Sequence, residues 1–248
     1  ILVVSGWQDV NIGDIAHTPG LLHILQTYFP ESRITLWKKS HNESVGQMLK
    51  DGFPNVRVIY GDVDRDTAHV ESTEVLGVFE QADILIHGSG PGLVGRYHIA
   101  AWQKHSTKPF GIFGITLGSI NDDIKAILLK ASFIYVRESK SLGVLESAGI
   151  QHTKTMFAPD ATFWFNLLDE QKAAICLKRN RLKEKAFICV IPRLRYTPYH
   201  KIQPGVKHWM GISDEKVDAV NEQWKEADHA KLREVMITWV RNTGNRVL

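Results

Sequence analysis

Short apolar runs recur along the first two thirds of this chain, and each is followed by a helical pattern. The runs lie at residues 1–5, 33–37, 56–60, 83–87, 109–114 and 133–136, with one more at 154–157. They are apolar throughout rather than alternating, as strands covered on both faces are. Helical stretches fill the intervals at 14–28, 43–50, 71–80, 96–105, 121–130 and 139–147. The first of these carries apolar Ile15, Leu21, Leu22 and Leu25. Gly149 stands where a left-handed residue ends the last. The alternation predicts an α/β fold: a Rossmann-like parallel sheet with helices on both faces. At 248 residues the core is large enough to need no disulfide or metal staple.

Near residue 165 the pattern changes. A polar, basic helix at 169–181 leads into a new strand at 186–191. A Pro/Gly/Tyr-rich stretch, 192–211, reads as a long functional loop. A long helix, 214–242, then Gly244 and an apolar 246–248 follow. This is the beginning of a second Rossmann-like domain, expected to be truncated after its second strand. The expected boundaries are 1–165 for the first domain, 166–185 for a linker helix and 186–248 for the second.

The charge is uneven between these parts. Residues 1–165 hold 14 Lys+Arg against 17 Asp+Glu, whereas 166–248 hold 16 against 10. The basic part is either a solvated helical face or an anion-binding half. It has no aromatic-interleaved basic repeats, so nucleic acid is not an expected partner. Cys176 and Cys189 form no C-x-x-C, which leaves zinc and thioredoxin-like chemistry without support. Two thiols in a chain of this length point to a reducing compartment. No apolar run approaches the ~20 residues of a membrane span. The opening ILVVSG reads as a buried strand rather than a signal peptide.

The loops after the strands carry the chemistry, because helix N-termini there offer free amides to anions. After the first strand come Asn11, Ile12, Gly13 and Asp14. Gly13 lets backbone approach a ligand or merely turns the chain, and Asp14 is placed to cap the next helix. After the fourth comes HGSGPGLVG, residues 87–95, within which 90–95 fits G-x-G-x-x-G. That fingerprint belongs after the first strand of its unit, with an acid about 20 residues on. Neither condition holds, and no G-x-x-x-x-G-K-[ST] occurs, so a dinucleotide and a triphosphate P-loop are excluded. After the sixth strand stand Arg137, Glu138 and Ser139, with Ser139 or Ser141 as the expected cap. Arg137 serves a ligand or pairs with a carboxylate. After the seventh, Asp160 either orients an arginine or loop, or acts as a base.

Taken in order, these loops resemble the polysaccharide pyruvyl transferase family. The matching pieces are Asn11-Ile12-Gly13-Asp14, the glycine run 88–92, residues 114–118, and Val136-Arg137-Glu138-Ser139 with Leu145 and Gly149 behind it. Pro159-Asp160-Ala161-Thr162-Phe163 and Pro192-Arg193 complete the set. Three positions depart from the pattern: Val10 for a glycine, Ser119 for a proline and Glu138 for an aspartate. A histidine motif of the family's second domain is not found in these 248 residues.

The resemblance implies two Rossmann-like domains facing a cleft, as in GT-B glycosyltransferases, with acceptor on the first and donor on the second. It implies transfer of the enolpyruvyl carbons of phosphoenolpyruvate onto a sugar of a bacterial-type surface polysaccharide or its lipid-linked precursor, as a ketal. It implies no metal or organic cofactor, and a cytoplasmic site of action at the inner face of the membrane. Arginine suits a donor bearing both carboxylate and phosphate. Arg193 and Arg195 are the candidates there, or else are solvent-facing basic residues. Asn11, Gly13, Ser89, Gly90 and Arg137 are expected to bind substrate, and Asp14 or Asp160 to take a hydroxyl proton. His17, His23, His87 and His98 read as packed or solvated histidines. The competing readings are a nucleotide-sugar glycosyltransferase of similar shape and an inactive glycan-binding relative.

Overall fold

The computed structural model describes residues 1–151, 154–202 and 210–248. The chain divides into two compact units, Ile1–Leu167 and Leu168–Leu248. In the first, seven strands alternate with helices: β1 (Leu2–Ser5), α1 (Ile12–Tyr28), β2 (Thr35–Lys38), α2 (Glu43–Gly52), β3 (Arg57–Ile59), α3 (Thr73–Gln81), β4 (Leu85–His87), α4 (Arg96–His105), β5 (Phe110–Ile115), α5 (Asp122–Leu128), β6 (Phe133–Val136), α6 (Ser139–Ser147) and β7 (Thr155–Phe157). A short 3-10 turn, Ala161–Trp164, follows. All sheet pairings are parallel, in the order β3-β2-β1-β4-β5-β6-β7. The Rossmann-like α/β expectation is met.

The continuous apolar runs are explained by burial on both faces. In β1, Leu2 and Val4 pack with Leu85, Ile112 and Ile134 into one layer, which Val75, Phe79, Ile99, Trp102 and Leu145 cover from α3, α4 and α6. Val3, between them, faces the other layer with Leu36, Ile86, Leu22, Leu25 and Leu49. Each fully buried Leu or Ile contributes roughly 1.5–3 kcal/mol. Pro19 and Gly20 sit inside α1 and weaken it by propensity. Buried Leu21, Leu22 and Leu25 hold it in place nonetheless.

Local details differ from the sequence expectation. Helix α1 begins at Ile12 and is capped by Asn11, whose side chain accepts the Gly13 amide; Asp14 lies in the first turn instead of capping. Glu138, not a serine, caps α6 by accepting the Lys140 and Ser141 amides. A carboxylate carries more charge to the helix N-terminus than a hydroxyl does. Strand β2 runs one residue further than expected, to Lys38. That lysine is buried and donates to Asp9 (2.6 Å), the Ser40 carbonyl (2.5 Å) and the Ser40 hydroxyl (2.9 Å).

The second unit contains α7 (Glu170–Arg179), β8 (Phe187–Ile188), α8 (Tyr199–Ile202), α9 (Asp214–Thr243) and β9 (Arg246–Val247). Strands β8 and β9 pair in parallel, joined through α9. Strand β8 is two residues long, where the sequence suggested six. Helix α8 occupies part of the expected 192–211 loop, and residues 203–209 of that loop lie outside the described residues. Gly244 ends α9 in the left-handed conformation, at φ 68°.

Candidate functional site

Strand order reverses between β1 and β4, the position at whose carboxyl edge open α/β sheets bind their ligands. The loops after these two strands are tied together. The Trp7 indole donates to the Ser89 carbonyl at 2.6 Å, and its ring lies 4.7 Å from that of His87. His87 is fully buried, and its Nε2 accepts the Gly95 amide at 2.9 Å. Burial, with His98 adding to it, drives its pKa to about 3, so the ring is neutral. A Cβ at Gly95 would stand 2.9 Å from both His87 and Trp7. This glycine of the G-x-G-x-x-G pattern is therefore required by packing.

A charged cluster forms where β5, β6, the post-β7 segment and α1 converge. Arg137 donates from Nη1 to Asp160 at 2.7 Å and from Nε to the Thr116 hydroxyl at 2.8 Å. The other Asp160 oxygen accepts the Thr162 amide and lies 2.9 Å from His17 Nδ1. Side-chain exposures are 8% for His17, 13% for Asp160 and 22% for Arg137. Burial pushes the Asp160 carboxyl upward, but hydrogen bonds from His17, Thr162 and Arg137 outweigh it. They hold the group well below the ordinary carboxylate range. An ionised carboxylate only accepts, so Nδ1 of His17 carries the proton of that hydrogen bond.

One helical turn before His17, on the same face of α1, lies Asp14. Its carboxylate accepts from the Gln8 amide at 2.7 Å. Burial raises its pKa, against the pull of His17 and Arg137, and the Asp160 charge adds to the rise. Two carboxylates in one cluster are thus moved in opposite directions, an arrangement that separates a fixed charge from a group able to exchange a proton.

The close approach of α1 to the post-β7 turn rests on Gly20. A Cβ there would lie 1.9 Å from the Ala161 carbonyl oxygen.

The remaining sequence candidates are placed as follows. Asn11 and Gly13 are exposed after β1, the Asn11 Oδ1 accepting the Gly13 amide in the cap. Ser89 is fully buried, and its hydroxyl accepts the Ala161 amide at 3.4 Å. Gly90 exchanges backbone hydrogen bonds with Gly114 and Thr116. In the second unit, Arg195 is bidentate to Asp228 (2.6 and 2.9 Å) and stacks over Trp224 at 3.9 Å. The Arg193 side chain is exposed, and its carbonyl lies 3.0 Å from His229 Nε2. Asn221 clamps both backbone groups of Tyr196. A depression of about 930 Å³ in the first unit, lined by Asp62, Asp64, Thr67, His69, Glu71 and Lys104 among others, shares no residue with the cluster.

His17 and Thr116 were missed by sequence reasoning. The one signal for His17 was its i+3 spacing from Asp14; its partner is 143 residues away. Among the described residues, no group of three or more His, Cys, Asp or Glu could hold a metal ion, and no helix is long and apolar enough to cross a membrane.

The fold has counterparts among solved structures. A glycosyltransferase from Rickettsia africae superposes with a TM-score of 0.50 at 14% identity, over 81% of this chain and 54% of that one. A UDP-N-acetylglucosamine 2-epimerase from Rickettsia bellii gives 0.45 at 13%, over 76% and 52%. HepE from Anabaena, in complex with UDP, gives 0.45 at 11%, over 80% and 54%. The chain thus spans about half the length of these solved proteins, and the first likeness shows the shared α/β fold. Among curated proteins none matches. The model of the polysaccharide pyruvyl transferase family matches residues 11–233, from the Asn11 cap through most of α9, and the chain belongs to that family.

Proposed function

We propose that this chain is part of an enzyme that moves the enolpyruvyl carbons of phosphoenolpyruvate onto a sugar as a pyruvate ketal. The acceptor is a surface polysaccharide or its lipid-linked precursor. The methylene carbon gains a proton, two sugar oxygens bond to the adjacent carbon, and the bond from that carbon to the phosphate oxygen breaks. The two hydroxyl protons end on the methyl group and the departing phosphate. No redox or organic cofactor enters the reaction so written.

The observation that carries this reading, in a chain of this family, is the His17–Asp160–Arg137 cluster with Asp14 one helical turn before His17. Asp160 stays ionised, fixes the imidazole and holds Arg137. Asp14, moved toward neutral pH, takes the proton of an attacking hydroxyl. His17, its Nδ1–H held by Asp160, offers the Nε2 lone pair to accept a hydrogen bond from a sugar hydroxyl. Exposed Arg193 is the proposed guanidinium for the donor's charges on the second unit, since Arg195 is committed to Asp228.

Thermal shift with phosphoenolpyruvate, UDP-sugars and GDP-sugars, followed by mass spectrometry of the acceptor, tests the proposal. Phosphoenolpyruvate is expected to raise Tm and to leave a pyruvate ketal on the sugar. Asp14→Asn is expected to lower kcat by about 10²–10⁴ with little change in KM for the donor. A Tm response to a nucleotide sugar alone would overturn the reading and favour glycosyl transfer.

A further inference from the structure

Three cations converge at the carboxyl edge of the first unit, outside the His17–Asp160 cluster. Lys39 directly follows β2, Arg65 lies in the loop after β3, and Arg96 opens α4. The two guanidinium carbons stand 5.8 and 4.4 Å from the Tyr97 ring centroid. Arg96 also donates to the Tyr97 hydroxyl at 2.8 Å. Lys39 feels both arginines: partial burial, then Arg65 and Arg96, hold its pKa below the ordinary lysine value. Among the described residues no carboxylate lies within 4 Å of any of the three. The ion pairs of the structure involve other residues.

The nearby carboxylates of Asp62, Asp64 and Asp66 form no ion pair with the trio among the described residues. Asp62 acts on Lys39 from a distance. Asp64 is used by the Asp66 and Thr67 amides and the Thr67 hydroxyl. The ten-residue helix α4 adds positive potential of its own. Its cap is Gly95, with no capping side chain, and its first turn has no acid. His98 in that turn is buried, and its Nδ1 has no partner among the described residues. Burial, then the Lys39 charge, lowers its pKa to about 4, so the ring is neutral and adds no further positive charge.

We infer that Lys39, Arg65 and Arg96, at the mouth of the glycine-rich loop, form a phosphate-binding site. Like charges brought together with no anion among them repel, and a bound phosphate relieves that repulsion. The planar guanidinium forks match phosphate oxygens, and stacking on Tyr97 holds both in place before the ligand arrives. The glycine run of residues 90–95 thus leads to an anion after all, through the helix and its basic neighbours rather than a nucleotide fingerprint. The site goes beyond the ketal reaction, since it would bind phosphate in a chain with no turnover.

The phosphate belongs either to the donor, phosphoenolpyruvate, or to a phosphorylated acceptor, for which inorganic pyrophosphate is the probe. Titration calorimetry of the whole chain with each probe, at low and moderate salt, tests the site. Lys39→Met, Arg65→Gln and Arg96→Gln are the variants, and unchanged melting curves verify their fold. Each variant is expected to weaken at least one probe about tenfold, and binding is expected to fall with salt. Pyrophosphate is also expected to slow acylation of Lys39. Loss confined to pyrophosphate assigns the site to the acceptor, and loss of phosphoenolpyruvate assigns it to the donor. Either supports the proposal, and failure of ketal formation alone leaves it standing. If neither probe binds, or all three variants bind both probes as the parent does, the proposal is overturned.

Discussion

The two units use the same α/β vocabulary but are held together by different means. In the first, apolar side chains fill both faces of a seven-stranded sheet, and Trp37, Trp102 and Leu22 are wholly buried. In the second, Val217 and Asn221 are the buried side chains among the described residues. Its loop after β8 is fastened to α9 by polar clamps instead: Arg195 to Asp228 and Trp224, and Asn221 to Tyr196. Exposed ion pairs contribute little, because water and salt screen them. The first unit therefore resists opening, and the second opens at lower free energy.

Native-state hydrogen exchange can break this contrast most directly at Trp102. Trp102→Ala is expected to cost the first unit about 3–5 kcal/mol through the cavity it leaves. Equal loss of protection in both units would show that they share one core. Next in size is Asp160→Asn, expected to cost about 1.5–3 kcal/mol at pH 7 by removing charge-assisted hydrogen bonds. The native Asp160 pKa lies below its unfolded value of about 3.9. Its contribution is therefore complete above pH ~4 and is lost as pH falls toward the native value. Urea midpoints of parent and variant should converge on acidification, and a constant gap would deny the role of charge. Smallest is Asn221→Ala, expected to cost about 1 kcal/mol, confined to the second unit, by leaving the half-exposed Tyr196 backbone groups to water. Exchange that stays unchanged around Tyr196 would remove this clamp from the account.

The sheet of the first unit was legible because β1, β2, β4 and β5 are buried on both faces, and burial leaves continuous apolar runs in a sequence. The second unit was less legible: the apolar run at 186–191 yields only Phe187–Ile188 as strand. Caps were misassigned because the first helical residue depends on which neighbour's oxygen reaches the free amides. Asn11 and Glu138 were both better placed than the residues expected. The charged cluster was half legible. Arg137, Asp160 and Asp14 stood out by type and position, whereas His17 acquires its meaning only from tertiary contact. The basic trio was invisible for the same reason: Lys39, Arg65 and Arg96 follow three different strands.

The Gly20 contact has a consequence for the reactive pair. Asp160 is the residue directly before Ala161, whose oxygen occupies the space where a side chain at position 20 would begin. Even one extra methyl there would wedge the turn outward and draw the carboxylate off the imidazole. The alignment of His17 with Asp160 thus depends on an atom that is missing, and drift at this helix position is closed to every larger amino acid while the two must stay in register.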